Sequence, residues 1–240
     1  SRWYAGSGIF RHVWLIKTNK LYLDKWDTFV NASELQKKEA VIQFSTIVHN
    51  EGLQNQSGKI GIKIYSPAGN EVFSTSQDVI LSEGTPVATS FSLKKPELWS
   101  VDTPVLYTAE VSLSSDGKEY DKISVPFGIR TLSFSAEKGF LLNGKSMKLK
   151  GGCVHHDNGL LGAAAIDRAE ERKVELMKAN GYNAVRCAHN QVSEHFLDAC
   201  DRLGMLVIHE TFDQWQKAKR EQDYHQFFDE WSDWDLAASV

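Results

Sequence analysis

The sequence predicts a multidomain protein in which a β domain precedes an α/β unit. Between residues 20 and 132, about seven short segments with strand character alternate with turns that contain Gly, Pro and Asn. That number and spacing of strands predicts an immunoglobulin-like β-sandwich. From residue 148 to residue 213, three apolar runs alternate with two segments of helical periodicity. This β-α-β-α-β pattern predicts parallel strands with helices outside them, in a barrel or an open sheet.

Composition and charge exclude several classes of protein. A chain of 240 residues, 42% hydrophobic and 11% aromatic, forms one large or two smaller domains with a substantial core. The net charge is -4 and no block of Lys and Arg stands out, so we expect no nucleic-acid partner. No apolar run approaches the ~20 residues of a transmembrane helix, so we expect no membrane insertion. The three cysteines, Cys153, Cys187 and Cys200, lack disulfide-like or CxxC spacing and are expected to be buried thiols.

The first 19 residues combine a Gly-rich turn with an alternating segment that predicts a strand. We interpret this segment as the end of a preceding β domain, with a ligand contact by Trp3 or Arg11 as the alternative. The chain starts at Ser1 without a signal-like segment, and its last residues continue a helical pattern that begins at Tyr224. We therefore expect both ends to be internal to a longer protein, which leaves the cellular location unassigned.

Residues 20–132 contain the strands of the predicted sandwich. Alternation is clearest at Ile60, Ile62 and Ile64, which face one side of their strand. Trp99 lies in a Pro-bounded crossing between two strands and is interpreted as a core or interdomain anchor. The predicted strands span residues 21–30, 40–49, 59–65, 72–81, 87–93, 106–113 and 122–127.

Residues 134–147 predict a linker followed by a β-hairpin. Asn143 and Gly144 stand together between two apolar runs, and this pair favours a type I′ turn. A hairpin at this position, just before the first parallel strand, is suited to close the base of a barrel.

Both helices of the α/β unit carry start signals. Asp167 is the predicted N-cap of the first helix, and Glu170, three residues later, completes a capping box. Ser193 is the predicted N-cap of the second helix, and Gly204 supplies its left-handed stop. The predicted helices span residues 168–180 and 194–203.

Polar side chains follow each of the three apolar runs. They are His155, His156 and Asp157 after the first run, residues 186–190 after the second, and His209 with Glu210 after the third. Because parallel strands end at one edge of a sheet or barrel, the pattern predicts a functional site at that edge. A pair of carboxylates formed by Asp157 and Glu210 is one hypothesis for its chemistry.

A metal-dependent hydrolase is another hypothesis for the same edge. His155, His156, His189, His209 and Glu210 are residue types that bind metals. However, adjacent His155 and His156 point in opposite directions from a regular strand, and the sequence has no HxH motif. The residue pattern therefore predicts no metal ligands in this chain.

A series of motifs resembles glycoside hydrolase family 2, the family of β-galactosidases, β-glucuronidases and β-mannosidases. The resemblance extends over essentially the whole chain and is most specific from residue 150 to residue 210. Residues 161–164 (LGAA) resemble a β-galactosidase-like branch. The other motifs, in order, are residues 6–14 (GSGIFRHVW), 99–107 (WSVDTPVLY), 140–144 (FLLNG), 150–157 (KGGCVHHD), 183–190 (NAVRCAHN), 200–204 (CDRLG) and 227–231 (FFDEW).

The resemblance implies three domains and a retaining β-glycosidase mechanism. Residues 1–19 would be the end of a sugar-binding jelly-roll domain, residues 20–132 the immunoglobulin-like domain, and residues 133–240 the start of a truncated (β/α)8 TIM barrel. In this family the two catalytic Glu residues follow barrel strands 4 and 7, which would place both of them beyond Val240. We therefore expect no catalytic residue in this chain and no glycosidase activity from the chain alone.

The resemblance also implies roles for residues at the strand ends. The expected sugar-binding residues are His155, Asp157, Arg186, His189, Asn190 and Trp215. Glu210 and Asp213 are expected to orient Arg186 or a catalytic carboxylate. Structural alternatives stay open: strand-end histidines, a buried ion pair at Arg186, and core packing of Trp215. Two departures from the family pattern are Gln191, where Pro is common, and His209, where Asp is usual.

The expected substrate is a β-glycoside, and the full-length form is expected to be a homo-oligomer. No cofactor is required by the residue pattern, although the resemblance allows a divalent cation such as Mg²⁺ with ligands that the sequence does not identify. The alternatives are a non-catalytic carbohydrate-binding or structural module and the metal-dependent TIM-barrel hydrolase. The sugar and the linkage are not fixed by the sequence.

Overall fold

The computed structural model describes residues 8–36, 38–52, 54–189 and 191–239. The chain divides into two compact units: a sandwich unit, Leu15–Met147, and a β/α unit that combines Ser1–Trp14 with Lys148–Val240. The division falls after the hairpin, whereas the sequence-based boundary lies at residue 132. The hairpin stays with the sandwich unit because the side-chain amide of Asn143 donates to the Trp99 carbonyl at 2.9 Å.

The sandwich unit consists of two antiparallel sheets. In the first, β3 pairs with β6 along one edge and with β2 and β1 along the other. In the second, the strand order is β5-β4-β7-β8. The strands are β1 (Leu21–Leu23), β2 (Phe29–Gln36), β3 (Glu39–Asn50), β4 (Gln56–Tyr65), β5 (Glu71–Leu81), β6 (Thr85–Lys94), β7 (Tyr107–Ser115) and β8 (Lys118–Phe127).

The predicted strand at residues 21–30 is wrong, because the chain breaks into two strands there. The carboxylate of Asp24 accepts a hydrogen bond from the backbone N–H of Trp26 at 2.9 Å and caps one turn of 3₁₀ helix, Lys25–Asp27. Aspartate favours such local bonds over strand pairing. Among the described residues the two large sheets of the sandwich therefore contain eight strands, and β2 is the strand that the sequence pattern missed.

The core of the sandwich unit lies between the two sheets. Ile60, Ile62 and Ile64 are each at most 1% exposed, as their alternation predicts, while Lys63 on the opposite face is exposed. Full burial of such a side chain contributes roughly 1.5–3 kcal/mol. Trp99 is also buried, with the guanidinium of Arg130 4.4 Å from its ring centroid, so it is a core residue of this unit.

A small three-stranded sheet completes the sandwich unit. Its strands are β9 (Leu132–Ser135), β10 (Gly139–Leu142) and β11 (Lys145–Ser146). Asn143 and Gly144 have φ angles of 52° and 74°, so the predicted type I′ turn is confirmed.

The β/α unit has the predicted β-α-β-α-β order. Its three parallel strands pair in the order β12-β13-β14, and the helices pack on them around a core that includes Val174, Phe196 and Met205. Residues 8–19 form no strand, so the strand predicted there is wrong. The elements are β12 (Gly151–Val154), α1 (Asp167–Ala179), β13 (Ala184–Cys187), α2 (Glu194–Leu203), β14 (Leu206–His209) and α3 (Phe228–Ser239).

The predicted N-cap is confirmed for one of the two helices and wrong for the other. Ser193 caps α2 by accepting a hydrogen bond from the Phe196 N–H, and Gly204 ends it in the left-handed conformation, both as predicted. The capping box predicted for α1 is wrong, because the N-cap residue of this helix is Ile166 and not Asp167. Glu170 is instead buried and accepts a hydrogen bond from the Asn158 side chain at 2.6 Å. No helix among the described residues has the length and apolar character needed to cross a bilayer.

Replacing Gly151 with alanine should destabilise the β/α unit, whereas the same change at Gly152 should not. A Cβ atom at Gly151 would lie 1.7 Å from the Ala184 carbonyl oxygen, which belongs to the backbone of the neighbouring strand. At Gly152 the nearest atoms are 3.8 Å away, on the Tyr182 ring. We expect Gly151→Ala to lower the free energy of unfolding by about 1–3 kcal/mol, measured by urea denaturation. Equal effects of the two substitutions would contradict the close pairing of β12 and β13.

Candidate active site

The three parallel strands of the β/α unit end at one edge. Val154 at the end of β12 lies opposite Cys187 in β13, and Cys187 lies opposite His209 in β14. The residues that follow these strands therefore meet at that edge, as the sequence predicts. This edge is the candidate active site.

Arg186 and Glu210 form the central ion pair of this site. The Nε of Arg186 donates to Glu210 Oε1 at 2.5 Å, and its Nη1 donates to Cys153 Sγ at 3.3 Å. These two hydrogen bonds raise the pKa of Arg186. The predicted contact between Glu210 and Arg186 is thus present, with each side chain fixing the orientation of the other.

His189 lies between the ion pair and a second histidine. Its Nδ1 is 3.5 Å from Glu210 Oε2 and 3.8 Å from Asp213 Oδ1. Its ring centroid is 5.6 Å from that of His155. His189 therefore has a second imidazole, that of His155, and two carboxylates, those of Glu210 and Asp213, as neighbours.

Most of the predicted residues line a cleft of about 830 Å³. Trp215 is 65% exposed there, so it does not pack into the core that the described residues form. Its ring is held by Phe212 and Phe228, with centroid distances of 5.9 and 5.7 Å. The cleft therefore combines a flat apolar surface with hydrogen-bonding groups, which suits a small polar ligand with an apolar face. Predicted residues in its lining are Arg186, His189, Glu210, Asp213 and Trp215.

His155 and Asp157 line a different cleft, of about 780 Å³. The strand ends thus bring the predicted residues to one edge but divide them between two clefts. The Asp157–Glu210 pair of carboxylates is not supported, because its members line different clefts. Asn190, the remaining predicted sugar-binding residue, lies outside the described residues.

Two cationic side chains in the cleft of about 830 Å³ face carboxylates. Arg186 faces Glu210 at 2.5 Å, and the Nζ of Lys219 is 3.7 Å from Asp213 Oδ1. Desolvation lowers the pKa of His209, and the nearby charge of Arg11 adds to the effect, which favours the neutral imidazole. Lys219 was missed by the sequence reasoning because it belongs to no strand end.

The cysteines only partly follow the sequence prediction. Cys187 and Cys200 are buried as predicted, and desolvation raises the pKa of Cys187 to about 12 and raises that of Cys200 as well. Cys153 is exposed, so its predicted burial is wrong. The difference arises because β12 is the outer strand of the described parallel sheet and is paired only with β13.

The metal-dependent alternative gains no support at the strand ends. Within the described residues, His155, His189, His209 and Glu210 do not form a group of three whose ligand atoms lie within 4.8 Å of one another. Mg²⁺ requires near-octahedral coordination by oxygen atoms, and the described residues at this edge do not assemble such a donor set.

Two family models match the chain in succession. The model described as glycosyl hydrolases family 2 matches residues 21–130, and the TIM barrel domain model of the same family matches residues 135–234. The chain belongs to glycosyl hydrolase family 2. The predicted fold class is confirmed, with the family 2 sandwich followed by the first strands of the family 2 barrel.

Individual relatives agree with this family 2 assignment. A β-galactosidase of Bacteroides ovatus is 40% identical over 98% of this chain, which spans 28% of that protein. A solved glycosyl hydrolase family 2 member from Bacteroides cellulosilyticus is 46% identical over the whole chain, with a TM-score of 0.92, and the chain spans 31% of it. A solved β-glycosidase from Bacteroides vulgatus is 34% identical over the whole chain, with a TM-score of 0.90, and the chain spans 30% of it. The family 2 chain thus spans about a third or less of the length of these relatives.

Proposed function

We propose that this chain is part of a retaining β-glycosidase with β-galactosidase-like specificity. In this proposal the β/α unit supplies residues that bind and orient the sugar, and the two catalytic glutamates come from other segments of the enzyme. The observation that carries the proposal is the Arg186–Glu210 pair with His189 at the strand ends, beside the exposed ring of Trp215. This arrangement occurs in a member of a family whose named relatives include β-galactosidases.

A retaining hydrolase needs two carboxyl groups ~5–5.5 Å apart, one to attack the anomeric carbon and one to protonate the leaving oxygen. The nucleophile must be ionised, and a guanidinium beside it favours the ionised form. Arg186 is suited to this role because it is charged and held in place by Glu210. Glu210 itself is engaged by Arg186, so we assign it an orienting role.

His189 is suited to bind a sugar hydroxyl. The carboxylates near its Nδ1 favour the tautomer that carries the hydrogen there, and in that tautomer Nε2 has the lone pair of a hydrogen-bond acceptor. Hydrogen bonds to sugar hydroxyls that strengthen in the transition state contribute to glycoside hydrolysis. Trp215 would cover one face of the sugar.

The charge balance of the cleft favours a neutral sugar over a uronate. Recognition of a uronate carboxylate requires a cation that is available to pair with it. The lining of this cleft holds three cationic side chains and the same number of carboxylates, so it carries no excess positive charge: Arg186, Lys217 and Lys219 against Glu210, Asp213 and Asp233. Of the three cations, Arg186 and Lys219 already face carboxylates. This is the observation that supports a β-galactoside over a β-glucuronide, even though relatives of both names match the chain.

The test is hydrolysis of nitrophenyl β-galactoside, β-glucuronide and β-mannoside by the natural-length protein, assayed in parallel. We expect turnover of the galactoside, and we expect His189→Ala to lower kcat/KM by about 10–100-fold, because the sugar hydroxyl would be left without its partner at a cost of about 1–3 kcal/mol. His225→Ala is the matched control, since His225 also faces a carboxylate, that of Asp223, but does not line the cleft. A folded protein that hydrolyses none of the three substrates would refute the proposal and favour the non-catalytic carbohydrate-binding module.

A further inference from the structure

Three side chains from distant parts of the sequence converge within the β/α unit. The His12 Nε2 lies 2.6 Å from Asp167 Oδ1, and the His195 Nε2 lies 3.2 Å from Asp167 Oδ2. One ligand atom from each of the three side chains lies within 4.8 Å of the others. We call these residues the His12–Asp167–His195 cluster.

The carboxylate of Asp167 is directed at the two imidazoles. Asp167 is the first residue of α1, yet it does not act as the helix cap, which is Ile166. Each of its oxygen atoms faces a different ring nitrogen. A cation bound by the carboxylate and both imidazoles would stabilise this arrangement.

We propose that this cluster binds a divalent transition-metal ion of the Zn²⁺ type. Two imidazole nitrogens and one carboxylate are a common donor set for Zn²⁺, with water in the fourth position. The set does not suit Mg²⁺, which prefers oxygen ligands alone. None of these three residues lines the cleft that contains Arg186 and Trp215. The proposed metal site therefore does not depend on the proposed glycosidase activity.

The geometry requires only small movements to accept the ion. Ligand distances of 2.0–2.1 Å in a tetrahedral site place neighbouring ligand atoms about 3.3 Å apart. The side chains of His12, Asp167 and His195 are 45%, 47% and 40% exposed, so they can adjust and an ion can reach them from solution. The Trp14 ring, 5.0 Å from the His12 ring, restricts the imidazole without covering it completely.

A simple ion pair is the competing interpretation of the cluster. Such pairs occur elsewhere in the chain: His49 Nε2 lies 2.7 Å from Asp27 Oδ2. That pair has the same His–Asp contact, but among the described residues it does not belong to a group of three potential ligands. The second imidazole is therefore what distinguishes the cluster, and the His49–Asp27 pair provides an internal control.

A bound ion would fasten residues 8–14 to the first turns of α1 and α2. Arg11, adjacent to His12, already donates to the Gln191 carbonyl at 2.5 Å, in the segment that leads from β13 to α2. Residues from the start of the chain would thus be linked to this segment by two neighbouring contacts. Metal occupancy would stabilise the folded β/α unit, because the three ligands come together only when it is folded.

The test is a titration of the chelator-treated natural-length protein with Zn²⁺ in competition with a chromophoric chelator, and with Co²⁺ by visible absorption. We expect one saturable equivalent and a Co²⁺ spectrum of tetrahedral intensity. His195→Ala and Asp167→Asn should each weaken this binding by at least about 10-fold, since even changes to groups that only support metal ligands cost 10–100-fold. Zn²⁺ should also raise the melting temperature of the wild-type protein by more than that of either variant.

His49→Gln is the matched control and should bind Zn²⁺ like the wild-type protein. Asp167→Asn keeps the size of the side chain, with an oxygen that accepts a hydrogen bond from one histidine and an NH2 group that can donate to the ring nitrogen of the other. It therefore separates metal binding from simple folding of the cluster. The metal-free melting temperatures of all variants establish that each one is folded. Absence of saturable uptake by the wild-type protein, or uptake that His195→Ala leaves unchanged, would overturn the proposal and identify the cluster as an ion pair only.

Discussion

Replacing Arg186 with methionine in the natural-length protein should lower the kcat of the proposed β-glycosidase reaction by about 10²–10³-fold, the effect of removing a preorganised polar group from an active site. Methionine retains much of the length of the side chain but removes the charge and the hydrogen bonds to Glu210 and Cys153. A carboxylate that depends on this guanidinium would then ionise at higher pH. The acidic limb of the kcat/KM profile should therefore move to higher pH, and this shift is the readout that a merely structural arginine would not produce.

Arg202→Met is the matched control for this experiment. Arg202 also pairs with a glutamate, Glu171, at 2.5 Å, but that pair connects α2 with α1 and does not line the strand-end cleft. We expect Arg202→Met to leave kcat and the pH profile unchanged. If both variants lose activity equally, or if Arg186→Met loses activity without a shift of the acidic limb, Arg186 does not hold a catalytic carboxylate ionised.

The second large effect is expected from Phe196→Ala, in the core of the β/α unit. Phe196 is fully buried against Val174, Val185 and Met205. Its removal leaves a cavity, and such substitutions typically cost about 3–5 kcal/mol, a large part of the 5–15 kcal/mol that stabilises an ordinary domain. Urea denaturation followed by near-UV circular dichroism measures the loss.

Phe227→Ala is the control for Phe196→Ala, because Phe227 is 52% exposed in the same unit. A surface substitution of this kind should change the free energy of unfolding by about 0.5 kcal/mol or less. Similar losses at the two positions would show that Phe196 does not anchor the packing of α2 on the sheet.

Local patterns in the sequence predicted the architecture of the β/α unit well. The start and end of α2 could be located because Ser193 and Gly204 act through contacts with their own helix. The common edge of the strand ends followed from chain order alone, since a helix between two strands makes the strands parallel. The contact between Arg186 and Glu210 was expected from the family resemblance, and it forms because their strands are adjacent.

Non-local contacts explain most of the errors. Asp167 has the sequence signature of an N-cap, but its carboxylate is engaged by His12, 155 positions earlier. No periodicity within a short window reports such a partner. Cys153 follows two glycines in an apolar run, and its exposure depends on the position of β12 at the outside of the described sheet. The separation of Asp157 from Glu210 into two clefts likewise depends on loop paths that the strand order does not specify.

The distribution of the three thiols gives this chain a built-in attachment point for a spectroscopic probe. Cys187 and Cys200 are buried, and burial keeps their thiols protonated, so they resist modification while the protein is folded. Cys153 is exposed, lines one cleft, and contacts Arg186 in the lining of the other. A fluorophore or spin label introduced through maleimide chemistry would therefore occupy a single position at the wall between the two clefts, where its signal would respond to the filling of either one.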